Sequence, residues 1–234
     1  FLAAQGYLSR NPLEMKINLG LQNSGDEPSG AERHLTQGAW DLALARLEHA
    51  ERHAQGDMEK AHLARERWIV MLLTNTGLRR HEAAKALMRD IKRKDLGVDG
   101  GDTWWLHVVG KGQKQRDIPL PRVLMSELAR YRRSLGLTEW PAPGEKRPLV
   151  VRLSRSGLPA LDSERPLSGA ILYHDVIVFF RRAAEYASRE FSSTAAKEYL
   201  ADFRKASPHW LRHTYLTRIV ALGVPLQHAQ ANAG

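Results

Sequence analysis

Ser207-Pro208-His209-Trp210-Leu211-Arg212-His213-Thr214 reads as the start of a helix. Ser207 is a good N-cap, and Pro208 at the first helical position gives up no hydrogen bond, because that N–H has no partner inside a helix. His209 and Arg212 are three residues apart and His213 is four from His209, so the three share one helical face. The first turn also carries unpaired N–H groups and the positive end of the macrodipole. An arginine and a histidine placed there form a site for an anion, phosphate above all. The same residues fit a surface helix with solvated charges, and this stretch alone leaves both readings open.

Two further stretches bear on the choice. Thr76-Gly77-Leu78-Arg79-Arg80-His81-Glu82 follows the apolar run Trp68-Ile69-Val70-Met71-Leu72-Leu73. The run ends a buried helix expected over residues 58–73, charged at its start and apolar at its end. Gly77 breaks it, and a new helix is predicted from about residue 78 to 88 with Thr76 as its cap. Arg79 falls in the first turn of that helix, Glu82 lies three residues on along the same face, and Arg80 points elsewhere. Between the two helix starts, residues 103–109 are rich in β-formers. Gly110-Lys111-Gly112-Gln113-Lys114 is a glycine-flanked turn, and Gln115-Arg116-Asp117-Ile118-Pro119-Leu120 returns. This is a hairpin with Lys111 at its tip. Trp104 and Trp105 point to opposite faces, and which one packs into the core stays open.

T-G-L-R-x-x-E, then G-K-G-x-K-x-R-x-I-P-L on a hairpin, then H-x-L-R-H-T, in that order, resembles the catalytic domain of the tyrosine recombinases of the phage-integrase type. The resemblance runs from about residue 35 to the C-terminus. It implies a mixed, mostly α fold with a small antiparallel β-sheet, the fold of the DNA breaking-rejoining enzymes. Residues 1–32 then stand as the end of an N-terminal DNA-clamping domain with its linker. Residues 33–234 stand as the catalytic domain without its C-terminal end.

The implied chemistry is strand cleavage and rejoining on double-stranded DNA, with no metal and no cofactor. A tyrosine attacks a phosphodiester, forms a 3′-phosphotyrosyl bond and frees a 5′-hydroxyl, and a second hydroxyl reverses the step. Arg79 and Arg212 match the two guanidiniums that grip the scissile phosphate, a task suited to a permanently charged fork. Lys111 matches the general acid for the leaving 5′-oxygen, with Lys114 its rival on the same hairpin. His209 matches the residue that bonds the phosphate and assists proton transfer. Glu82 matches an acidic residue that orients the arginine or histidine, and His213 a packing or supporting residue. Lys85, Lys92, Arg93, Lys114 and Arg116 are assigned to the DNA surface, although a solvated basic face explains the Lys85–Lys94 run as well.

The family's next box places a His or Trp after a Leu-Gly or Ala-Gly pair, and the nucleophilic tyrosine beyond it. Ala233-Gly234 resembles its start. Tyr7, Tyr131, Tyr173, Tyr186, Tyr199 and Tyr215 do not follow the His209 motif at the right remove, so the nucleophile is expected beyond residue 234. The chain as given is then expected to hold DNA without cleaving it. The resemblance also implies a homo-oligomer, a tetramer on paired DNA sites. A recombinase-like DNA-binding regulator without cleavage is the alternative. A type IB topoisomerase is disfavoured by the hairpin, and a basic helical scaffold protein by the three ordered motifs.

Composition agrees with a polyanionic partner. The 234 residues carry a net charge of +9, which favours nucleic acid first and an anionic membrane second. There is no cysteine, which excludes disulfides, thiolate nucleophiles and Cys-based zinc sites. No apolar run is long enough to span a bilayer and there is no signal-peptide pattern, so a bacterial cytoplasm is expected, with a mobile element as the source. Both ends look cut. His49, His53 and His62 lack the spacing of a metal site and read as solvated. Residues 15–32 read as linker, and a helix starts at Leu35-Thr36. Residues 120–137 read as a helix with Tyr131 in the core. Residues 139–166 read as a loop with one short strand at 149–151. Ser168 caps a long helix, residues 188–205 are a polar approach to His209, and Gly223 turns the chain into a last helix.

Overall fold

The computed structural model describes residues 34–95, 102–154, 164–190 and 194–225, together with 227 and 229. The expected N-terminal segment at 1–32, Tyr7 and the Ala233-Gly234 pair lie outside the described residues, as does the side chain of Lys111.

Helix α2 (Asp57–Thr76) is the axis of the molecule. Every residue from Trp68 to Thr74 on it is buried, which suits a helix enclosed on all sides. It packs against α1 (Gln37–His53), α4 (Arg122–Ser134), α5 (Gly169–Glu190) and α7 (Pro208–Ala221). Thr36 caps α1 by accepting from the Ala39 N–H, and the Leu35 N–H donates to the Thr214 hydroxyl at 2.9 Å, tying the start of α1 to α7. Charged residues on the polar faces join the helices by ion pairs. Arg46 and Arg182 share Glu66, and Arg67 meets Glu127.

The sheet has three antiparallel strands in the order β1 (Ile91–Asp95), β2 (Asp102–Val109) and β3 (Gln115–Leu120). Register sets Ile91 opposite Leu106, and Leu106 opposite Ile118. These three form the buried face. Trp104 lies on that face and stacks on Trp140, with ring centroids 5.5 Å apart. Trp105 lies on the outer face beneath the Lys94 ammonium. The outer face also pairs Lys94 and His107 with Asp117, whose carboxyl they hold below its usual range. β1 was not evident in the sequence: Lys92, Arg93 and Lys94 have low strand propensity, and pairing with β2 overrides it.

Two more differences from the sequence reading have physical causes. Residues 194–205, read as a polar approach, form helix α6 (Thr194–Lys205). Phe203 is buried there and stacks on Phe180 of α5, so one well-packed ring anchors an otherwise polar helix. Residues 149–151 are fully buried but form no strand. Side chains and a backbone carbonyl satisfy the polar groups of Leu149 and Val151 instead. The Trp68 indole donates to the Leu149 carbonyl, the Arg65 Nε to the Val151 carbonyl, and the Leu149 N–H to Ala86. The Val151 N–H donates to the Tyr131 hydroxyl at 2.9 Å.

Among the described residues, no helix is long and apolar enough to cross a membrane.

Burial pushes the Tyr131 phenol up to about 12, so it stays protonated and accepts from Val151 throughout the neutral range. Tyr131→Phe leaves that N–H without a partner in a dry site and is expected to cost about 1–3 kcal/mol. Urea unfolding of the variant checks this, and an unchanged midpoint would contradict it.

Candidate functional site

The site grows from the end of α2. Gly77 takes the left-handed conformation (φ 61°) and its N–H bonds to the Leu73 carbonyl, closing the helix. A side chain here would be strained, and a Cβ would overlap the Tyr215 ring that packs on this glycine. Thr76 does not cap the next helix as expected. It is the last residue of α2, and its hydroxyl donates to the Leu72 carbonyl. Four residues later α3 (Arg80–Lys85) begins, with Arg79 itself at the N-cap position. The helix is shorter than the sequence suggested, ending at Lys85 before a single 3-10 turn at Met88–Asp90.

Helix α7 starts at Pro208 as expected, although the Ser207 side chain makes no capping bond. Its Arg212 reaches across to α2: Nη1 donates to the Gly77 carbonyl at 2.6 Å. Gly77, Arg79 and Arg212 therefore sit at one place, although 135 residues separate the first from the last. Leu78, Arg79, Arg80, His81, Tyr173, Ser207, Pro208, His209 and Arg212 line a cavity of about 410 Å³. Among the described residues, its lining holds three arginines and two histidines, and no carboxylate. Burial lowers the Arg212 pKa first, and repulsion from Arg79 and Arg116 lowers it further, against the opposing pull of Glu82. The arrangement favours an anion with several oxygens to share.

Glu82 organises the rim. Its carboxylate accepts the Arg79 N–H at 2.8 Å and both Nη atoms of Arg116 at 3.0 and 2.7 Å. Burial alone would raise its pKa. The Arg116 fork, the Arg79 N–H and the two positive charges outweigh burial and hold it below the ordinary value. His213 lies beneath His209, with the two Nε2 atoms 2.9 Å apart and the rings edge to face.

The structure brings Arg79, Glu82, His209, Arg212 and His213 together. The backbone of Lys111 lies in a short turn, Lys111–Gln113, at the end of β2. Lys85, Lys92, Arg93 and Lys114 are all exposed. Arg116, assigned to the DNA surface by sequence, has a side chain only 11 % exposed and pairs with Glu82. Alternation explains this, since residues 116, 118 and 120 share one face of β3 and Ile118 and Leu120 are buried. Arg80, set aside by sequence as pointing elsewhere, lines the cavity, and His81 and Tyr173 were missed. Arg80 lies over the Tyr173 ring, and the His81 ring packs against Gly169 at the start of α5. Their link to the site runs through α5, about a hundred residues away, and no local pattern signals it. Among the described residues, no group of three or more His, Asp or Glu side chains is placed to hold a metal ion.

The sequence profile of the phage integrase family matches residues 46–234. Tyrosine recombinase XerC of Bradyrhizobium diazoefficiens is 29 % identical over 190 residues, covering 81 % of this chain and 48 % of that protein. Tyrosine recombinase XerA of Thermococcus kodakarensis is 26 % identical over 172 residues, covering 73 % of this chain and 46 % of that protein. The chain thus spans about half the length of the curated relatives it matches. The fold is similar to that of the XerH site-specific recombinase in its post-cleavage complex with palindromic difH substrate. There the TM-score is 0.50 at 19 % identity, over 88 % of this chain and 51 % of that one.

The depressed pKa of Glu82 has a consequence for stability. The unfolded carboxyl takes up a proton near its ordinary value of 4.5, above the folded one. The stabilisation is therefore present above that value and is lost as pH falls through the folded pKa. Glu82→Gln is expected to lower stability at neutral pH and to flatten its decline under acid, measured by urea unfolding across the range. A decline as steep as that of the wild type would contradict the assignment.

Proposed function

The chain belongs to the phage integrase family, the tyrosine recombinases, and on that premise we propose that it supplies the phosphate-gripping part of a site-specific DNA recombinase. The observation that carries the reading is the seating of Arg212 on the Gly77 carbonyl, inside a cavity shared with Arg79 and His209. One Nη of Arg212 is spent on holding the guanidinium in place. The guanidinium held in this way, together with that of Arg79, grips the non-bridging oxygens of a scissile phosphodiester. Preorganised positive donors there lower the barrier to a crowded, highly charged transition state without a metal. His209 bonds the same phosphate and is held from below by His213. Lys111 delivers a proton to the departing 5′-oxygen.

The nucleophile in this proposal is a tyrosine that follows Gly234. Tyr131 and Tyr215 are buried, the latter against Gly77. Tyr186 packs on His49 and Tyr199 on Gly38, neither of them in the cavity lining. Attack gives a 3′-phosphotyrosyl bond and a free 5′-hydroxyl. Exposed Lys85, Lys92, Arg93 and Lys114 track the flanking backbone of double-stranded DNA. Residues 1–32 end a DNA-clamping domain, and the whole protein works as a tetramer on paired sites. DNA integration by a mobile element within the cytoplasm is the setting that fits this chemistry.

Arg212→Lys in the full-length protein keeps a positive charge but loses the fork that spans Gly77 and the phosphate. Cleavage of a nicked suicide substrate is expected to fall on the order of 10²–10³-fold, the size seen when one oxyanion-type donor is removed. DNA affinity is expected to stay near the wild-type value, because many other backbone contacts remain. Cleavage at the wild-type rate would refute the role given to Arg212.

A further inference from the structure

The Glu82–Arg116 pair links the two halves of the site. Arg116 projects from the turn end of the hairpin on the inner face of β3, and both its Nη atoms bond the Glu82 carboxylate. The pair is secluded, with side chains 11 % and 6 % exposed. It lies against the backbone of Gly110, the residue before Lys111. A Cβ built on Gly110 would stand 3.1 Å from Arg116 Nη1 and 3.2 Å from Glu82 Oε1. The Gly110 N–H bonds to the Lys114 carbonyl at 2.8 Å, so Gly110 and Lys114 close the turn that carries Lys111. The same carboxylate accepts the Arg79 N–H and lies 3.4 Å from Arg79 Nη1.

We propose that Arg116 is a positioning residue: its fork on Glu82 seats the Lys111-bearing turn at a set place relative to Arg79. The inference rests on the reading of Lys111 as proton donor given above. A guanidinium suits this task, since a fork locked onto a carboxylate fixes both distance and plane, which an ammonium does not. Gly110 suits it as well, because the absence of a side chain lets the pair sit flush against the turn. The hairpin is joined to the helical body through its sheet face and through this pair. The pair is the link that lies directly under the turn.

The test separates positioning of the proton donor from a structural role. In the cleavage step, the tyrosine gives its phenolic proton to the His209 imidazole as its oxygen–phosphorus bond forms, the phosphorus–O5′ bond breaks, and the proton of the Lys111 ammonium ends on O5′. When sulfur replaces the bridging 5′-oxygen, the phosphorus–sulfur bond breaks and the thiolate departs without a proton. Arg116→Lys and Arg116→Gln in the full-length protein are assayed on both substrates, beside Lys111→Met. Loss of the fork is expected to slow cleavage of ordinary DNA on the order of 10²-fold, the size of effect a small misplacement of a catalytic group produces. On the sulfur substrate both Arg116 variants and Lys111→Met are expected to come within roughly threefold of wild type, since a low-pKa thiol leaves unaided. Recovery on sulfur also shows that the variants are folded.

Equal losses on both substrates would overturn the inference and place the effect on Arg79 or the fold, and no loss on either would overturn it too. If Lys111→Met recovers and the Arg116 variants do not, the positioning role alone falls. If Lys111→Met fails to recover, the proton-donor reading falls and takes the inference with it.

Discussion

The hydrogen bond from Arg212 to the Gly77 carbonyl holds the site together. A helix end leaves carbonyls without partners inside the helix, and the residue after α2 must turn left-handed to stop it. Gly77 makes that turn, and its carbonyl is taken by a guanidinium from a helix at the far end of the chain. The same glycine leaves room for the Tyr215 ring, one turn further along α7. A structural need of α2, closing its C-terminus, is met by a residue that also lines the cavity. This is why α2 is buried so completely at that end. The core holds still the platform on which α3 and α7 present their arginines.

The charge pattern follows from that geometry. Arg79, Arg116 and Arg212 stand near enough that Arg212 feels the other two as repulsion, with Glu82 as the opposing charge. Glu82 is held on the Arg79 side of the site, where it orders the rim instead of neutralising the cavity. Repulsion among fixed cations is a cost that a bound anion would offset. Lys85 on α3, Lys92 and Arg93 on β1, and Lys114 in the turn before β3 are exposed. An anion drawn to the surface therefore meets a site whose donors are already in place.

Much of this was legible in the chain. The Gly77 break, the Pro208 helix start and the glycine-flanked Lys111 turn are local signals, and each lies where sequence placed it. Tyr131 was recognisable as core from its helical spacing. The errors arose where tertiary contacts outweigh local preference. Arg116 looked like one more basic residue of a hairpin, yet its alternation with Ile118 and Leu120 already put it on the inner face. Residues 91–95 are too charged to suggest a strand until β2 lies beside them. Helix α6 depends on Phe203 finding Phe180. Tyr173 and His81 enter the cavity only because α5 packs on α3, and nothing in either segment announces that meeting.

In the proposed function the cavity grips the phosphate and a tyrosine after Gly234 is the nucleophile. The most direct measurement is to trap the full-length protein on a nicked suicide DNA, digest the complex and identify by mass spectrometry the residue that carries the nucleotide. The prediction is a 3′-phosphate ester on a tyrosine that follows Gly234, with none on residues 1–234. DNA attached to Tyr173, which lies on the cavity rim beside Arg80, would contradict the account. So would a tightly bound complex that holds no covalent adduct at all.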